Sequence, residues 1–216
     1  MIVLQVSDRS PILFVVSGPS GSGKGTVIAH LLESFANLER IVTYTTRSPR
    51  EDEIDGVHYR FISEDRFQKL LREGEIFEYE RVYEDYYYAS PANVLSGGVD
   101  RIIEVDYKGH RKFRAAYPTT VSLFLLPPSM EELERRIRSR SPEDNMKSRL
   151  RNAREQIRRA GEYDYLLVNE HLEPTLMRAR AIVAAERVLG ERERLLRRWD
   201  IPDRLSENRD PDIRGR

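Results

Sequence analysis

The chain has 216 residues, 39% of them hydrophobic, with 36 Lys+Arg against 36 Asp+Glu and no cysteine. That length suits one domain with inserted lobes. The zero net charge gives no argument for a nucleic-acid or membrane partner, and the missing cysteines exclude disulfides, cysteine zinc sites and a thiol nucleophile. No apolar run approaches the ~18 residues of a membrane span. The opening MIVLQVSDRSP lacks a basic region followed by a long apolar stretch, so no signal peptide and a cytoplasmic protein are expected.

The first apolar run, Ile12 to Ser17, is short and rich in β-branched and aromatic residues, and it ends at a glycine. It reads as a strand buried on both faces of a parallel sheet. A glycine loop follows, then a helix over Thr26 to Phe35 with Val27, Leu31 and Phe35 at helical spacing. Thr43 to Asp100 is rich in Tyr, Arg and acidic residues and has no long apolar run, so it reads as an inserted lobe with a helix over Glu64 to Arg72. Strand patterns return at Arg101–Asp106, Thr119–Leu126 and Tyr163–Asn169. Ser129 with Glu132 three residues on forms a capping box that opens a helical stretch to Gly161, broken near Pro142. A last helix spans Pro174 to about Leu189, and Glu191 to Asp200 is able to extend it into a charged tail, 190–216. Strands alternating with helices predict an α/β core around a parallel sheet.

Gly18, Gly23 and Lys24 fit G-x-x-x-x-G-K between that first strand and helix. Glycines let backbone N–H groups approach phosphate oxygens, the helix N-terminus adds a positive dipole end, and Lys24 supplies a mobile cation. The whole loop, Gly18, Pro19, Ser20, Gly21, Ser22, Gly23, Lys24, Gly25 and Thr26, is expected to cradle a nucleotide's phosphates. Gly25 stands where the general motif has Ser or Thr, and the hydroxyl follows at Thr26. Mg²⁺ is therefore expected to be held mainly by phosphate and water.

Beyond the loop, TTRSPR with E-x-D-G-x-x-Y-x-F (within Thr43–Phe61), then EGEIFEYERVYEDYYYAS, IIEVDYKG, LPPSMEELERRIRSR and EYDYLLVN follow in order. The chain resembles the guanylate kinase family across roughly residues 11–189. The resemblance implies a P-loop core with a three-layer α/β arrangement (11–42 and 101–189), a GMP-binding lobe (43–100) and a lid at about 138–150. It implies transfer of the γ-phosphoryl of Mg-ATP to GMP. Thr43, Arg47, Arg50, Tyr59 and Tyr87 match positions that hold the GMP phosphate, and Glu78 and Glu104 match acidic positions that read guanine. Arg136, Arg140 and Arg149 match lid arginines, Lys24 and Arg47 belong to the catalytic set, and Asn169 matches a residue on the adenine side of ATP.

These residue types suit those tasks. Arginine forks bind phosphate oxygens bidentately. A carboxylate accepts from both N1–H and N2–H₂ of guanine, and adenine lacks that donor edge. Asp106 is a candidate for a water-mediated magnesium contact or for orienting GMP, and equally for a helix N-cap. Of the three adjacent tyrosines, Tyr87 is expected in the site, with Tyr86 and Tyr88 packing. The family has Gly and then Ser or Thr after its tyrosine pair; read at Tyr88 and Ala89, that hydroxyl is lost here. The segment from Tyr87 to Glu104 and the lid both look short, and the former holds a weak helix. Two further readings stay open: a kinase of another phosphorylated acceptor, and a non-catalytic protein-binding module of the same fold.

Overall fold

In the computed structural model, described residues are 10–50, 53–82, 86–95, 98–139 and 146–203. In chain order the elements are β1 (Leu13–Ser17), α1 (Lys24–Ser34) and β2 (Leu38–Arg40), then the lobe: β3 (Tyr44–Thr45), β4 (Arg60–Phe61), α2 (Glu64–Arg72), β5 (Ile76–Val82) and β6 (Tyr86–Pro91). The chain returns through β7 (Asp100–Glu104), α3 (Tyr107–Ala116), β8 (Thr120–Leu126), α4 (Met130–Arg138), α5 (Met146–Arg158), β9 (Tyr165–Val168) and α6 (Leu172–Arg198).

Every residue of β1 is buried, which places it at the centre of a parallel sheet ordered β2-β7-β1-β8-β9. Strand side chains alternate between faces, so β1 feeds two cores. Phe14 and Val16 pack with Val27, Ile28 and Leu31 of α1 and with Ala179 and Val183 of α6. Leu13 and Val15 pack with Ile103 and with Phe113 of α3. Truncating a fully buried residue such as Phe14 to Ala costs about 3–5 kcal/mol. The result is the helix–sheet–helix layering expected for the core.

The lobe is a second sheet, ordered β4-β3-β6-β5, with β3 parallel to β4 and antiparallel to β6. The helix α2 begins where the pattern placed it. Ser63 caps it through a 3.2 Å bond from Arg66 N to Ser63 Oγ, and buried Phe67 and Leu70 face the sheet. Ser129 likewise accepts from Glu132 N at 3.1 Å to start α4.

One boundary left open is settled, and one expectation changes. The last helix runs on to Arg198 without stopping at Gly190. One interior glycine costs only about 1 kcal/mol, and the following ERERLLRR is made of strong helix formers. The stop comes at Asp200, whose φ of 50° turns the chain while Ile201 N donates to Leu196 O. The weak helix after β6 is absent among described residues 92–95 and 98–99. Part of the stretch expected to form a lid, including Arg140, lies outside the described residues.

Candidate active site

The strand β1 ends at Ser17 and α1 begins at Lys24, so the glycine loop is the entire connection. Gly18 and Gly23 have φ of 143° and 99°. A Cβ at Gly18 would sit 2.4 Å from the Leu125 carbonyl oxygen, and one at Gly23 would sit 2.2 Å from Asn169 Nδ2. Both positions therefore require glycine. Lys24 Nζ donates to its own loop, to Gly18 O at 2.7 Å and Pro19 O at 3.1 Å, and lies 3.5 Å from Glu104. Asn169 Nδ2 donates to Ser22 O at 2.8 Å, while Asn169 N donates to Leu126 O at 2.8 Å. That side chain ties the loop to the ends of β8 and β9. Arg149 Nη2 reaches Ser20 Oγ at 2.9 Å, over the mouth of the loop.

A cleft of about 920 Å³ runs from this loop to the lobe. Its core wall holds Lys24, Gly25, Thr26, Glu104 and Asp106, and Arg149 closes one side. On the lobe wall, Arg47 is the most constrained cation. Its Nη1 and Nη2 donate to Glu53 at 2.6 and 2.5 Å, its Nε donates to Tyr88 Oη at 2.8 Å, and the guanidinium lies 5.2 Å from the Tyr59 ring centroid. Arg50 stands exposed beside it, and its backbone N–H also donates to Glu53, at 2.9 Å. Thr43 is buried on the same wall, and burial pushes the Tyr59 phenol well above its usual range.

Further along the wall, Glu78 is 8% exposed and accepts from Ser90 Oγ at 2.7 Å. Burial pushes its carboxyl up from the ordinary range, with Ser90 and then Lys112 opposing. Asp106 caps α3: its Oδ1 accepts from the N–H groups of Lys108 and Gly109, both at 3.0 Å. Burial raises this carboxyl too. Asp106 thus caps α3, and it also lines the cleft.

The expectation for Tyr87 needs correction. Strand pairing sets Glu80 opposite Tyr88 and Glu78 opposite Ser90, so those four side chains share the cleft face. Tyr87 pairs with Arg81 on the other face and stacks on Phe67 of α2 at 4.3 Å. Tyr88, taken as packing, lines the cleft. Ala89 then stands at the glycine place and Ser90 supplies the hydroxyl thought lost. Asn169 lies behind the loop rather than on the cleft wall, and the loop's own Pro19 and Ser22 do not line the cleft either. Arg136 sits against the loop, where a Cβ at Gly21 would lie 3.5 Å from its own, but it does not line the cleft: its Nη2 donates to Asn169 O at 3.3 Å and its Nε to Glu132 at 2.7 Å. Glu53 opens the E-x-D-G motif, and its part in the site, holding the Arg47 fork, is a contact that the motif's spacing does not signal. The facing of Tyr88 and Ser90 follows from the pairing of β6 with β5, a register that the sequence alone does not set.

A central strand running into a phosphate loop, opposite an arginine–tyrosine seat across one cleft, defines a P-loop kinase. The guanylate kinase family description matches residues 10–186. The guanylate kinase of Methylobacillus flagellatus is 38% identical over 198 residues, 89% of this chain and 98% of that protein. That of Vibrio cholerae is 38% identical over 84% of this chain and 91% of its own length. The crystal structure of guanylate kinase from Anaplasma phagocytophilum superposes with a TM-score of 0.71 at 32% identity, covering 91% of this chain and all of that one. The chain belongs to the guanylate kinase family. Among the described residues, no helix is long and apolar enough to cross a membrane.

Proposed function

We propose that this chain transfers the γ-phosphoryl group of ATP to GMP in the cytoplasm, giving ADP and GDP. The observation that carries this is one continuous cleft with the Lys24 loop at one end and the Arg47–Tyr59–Tyr88 seat and Glu78–Ser90 pair at the other. ATP phosphates lie against the loop's N–H groups. Lys24 turns from the Gly18 and Pro19 carbonyls to the β- and γ-phosphates, and Arg149 covers the group in transit. Arg47, Arg50, Tyr59 and Tyr88 hold the GMP phosphate with one oxygen aimed at the γ-phosphorus. That oxygen forms the new P–O bond as the bond to the β–γ bridging oxygen breaks. Positioning and neutralisation of phosphate charge supply most of the acceleration.

Mg²⁺ would add charge neutralisation across the phosphates. The donors at that end of the cleft, the exposed Thr26 hydroxyl and Asp106, are oxygens only, which fits a hard cation that keeps most of its water. Thr26 would hold it directly and Asp106 through water. The corresponding division of the chain is a core (11–42 and 101–189) whose last helix runs on to Arg198, a GMP lobe (43–100), a lid at about 138–150 and a charged C-terminal tail that begins within that helix. The intact loop, with Gly18, Gly23 and Lys24 in place, argues against the protein-binding reading. The test is GDP formation from ATP and GMP by wild type and Lys24→Ala. The variant is expected to keep its fold and lose about 10²–10³ in kcat. Equal turnover by both, or none by wild type, contradicts the reading.

A further inference from the structure

The ionisation state of Glu78 decides which purine the cleft can pair with. An ionised carboxylate offers two acceptors and matches the N1–H and N2–H₂ donors of guanine. A protonated carboxyl offers one donor and one acceptor, which matches the N1 acceptor and N6–H₂ donor of adenine. Discrimination between GMP and AMP at this site is therefore a matter of keeping one buried carboxyl charged. This rests on the reading of Glu78 as the guanine contact.

The surroundings pull in both directions. Glu78 is 8% exposed, which favours the neutral form. On its own strand Glu80 adds negative charge, and Asp106, at the N-cap of α3, adds more. Ser90 from β6 donates to Oε1 at 2.7 Å, which favours the ionised form. Two lysines of α3 reach this strand. Lys108 is engaged with Glu80, and Lys112 has its Nζ 3.8 Å from Glu78 Oε2. Lys112 is thus the cation set against Glu78 itself, reaching it from the core helix rather than from the lobe.

We infer that Lys112 is a specificity-determining positioning residue, whose ammonium holds the Glu78 carboxylate in the charged form that accepts guanine and rejects adenine. Its side chain is 50% exposed, so replacing it leaves the packing of α3 intact. Solvent also screens it, so the effect is modest.

The experiment measures kcat/KM for GMP and for AMP between pH 5.5 and 8.5 in wild type, Lys112→Met, Lys112→Arg and Glu78→Gln. Titration of the substrates' own phosphates is common to all four and cancels in comparison with wild type. In Lys112→Met the AMP:GMP ratio is expected to rise above wild type as pH falls, by about two- to fivefold near pH 6. Near pH 8 it should converge on wild type, and Lys112→Arg should behave as wild type throughout. A Lys112→Met ratio that follows wild type at every pH, or a fall in kcat equal for both substrates and independent of pH, overturns the inference. Glu78→Gln separates the two layers. If it leaves KM for GMP unchanged, the guanine contact itself is wrong and the inference falls with it. If it raises KM for GMP while Lys112→Met follows wild type, only the role of Lys112 is lost.

Discussion

At the residue scale, two adjacent tyrosines make the sharpest contrast. Tyr88 accepts from Arg47 Nε at 2.8 Å on the cleft wall, whereas Tyr87 stacks on Phe67 on the far side of the strand. Tyr88→Phe removes a hydroxyl that orients Arg47, the cation proposed to hold the GMP phosphate, and is expected to raise KM for GMP about tenfold. Tyr87→Phe keeps the ring stack and should leave KM unchanged; steady-state titration of GMP checks both. A buried histidine outside the chemistry gives a pH prediction. His110 is 1% exposed, stacks on Tyr163 at 4.0 Å, and is pushed down to about 4 by burial, with Arg114 adding to the effect. Its folded-state pKa is depressed, so below about pH 6.5 the unfolded chain takes up a proton that the folded chain refuses. Stability is then lost as pH falls from about 6.5 towards 4, by roughly 2 kcal/mol at pH 5 from this group. His110→Phe keeps the stack and should flatten that part of the curve in urea melts at pH 7 and 5.

At the element scale, the phosphate loop depends on a support drawn from β9. Asn169 follows that strand, bonds to Leu126 at the end of β8 and holds Ser22 O from below. Gly23→Ala puts a methyl carbon 2.2 Å from Asn169 Nδ2 at a φ of 99°. It should break that bond and weaken ATP binding about tenfold or more, read by calorimetric titration. Adding Asn169→Ala relieves the clash but not the backbone strain, so the double variant should lose less than the sum of the two singles. The strand–loop–helix frame was legible because ILFVVS is buried on both faces and three residues fix the loop. The loop-supporting role of Asn169 was not, since its side chain acts on Ser22, 147 positions away in the chain.

At the scale of the whole molecule, core and lobe meet where α3 faces β5. Phe77 packs against Phe113 at 4.7 Å, Lys108 pairs with Glu80 and Lys112 lies 3.8 Å from Glu78. Most of the core was legible because β1, β8 and β9 are apolar runs that alternate with helices, whereas the three-residue edge strand β2, LER, carries no such run. The lobe was less so: β3 and β4 have two residues each, too short for any period to show. Three consecutive tyrosines likewise carry no alternation of their own, and their facing is set by pairing with β5. For α6 the sequence leaves two ends open, about Leu189 or an extension to Asp200, because its stop signal is an aspartate in left-handed conformation rather than a glycine.

The central claim is that this cleft joins ATP to GMP in preference to other monophosphates. The most direct measurement is kcat/KM for GMP, AMP, CMP and UMP as separate acceptors from Mg-ATP, with ADP and the new diphosphate both quantified. Equal amounts of ADP and GDP, with GMP preferred over AMP by about 10³ or more, is the predicted result. Comparable rates with several acceptors, or ADP released without a matching diphosphate, would contradict the account.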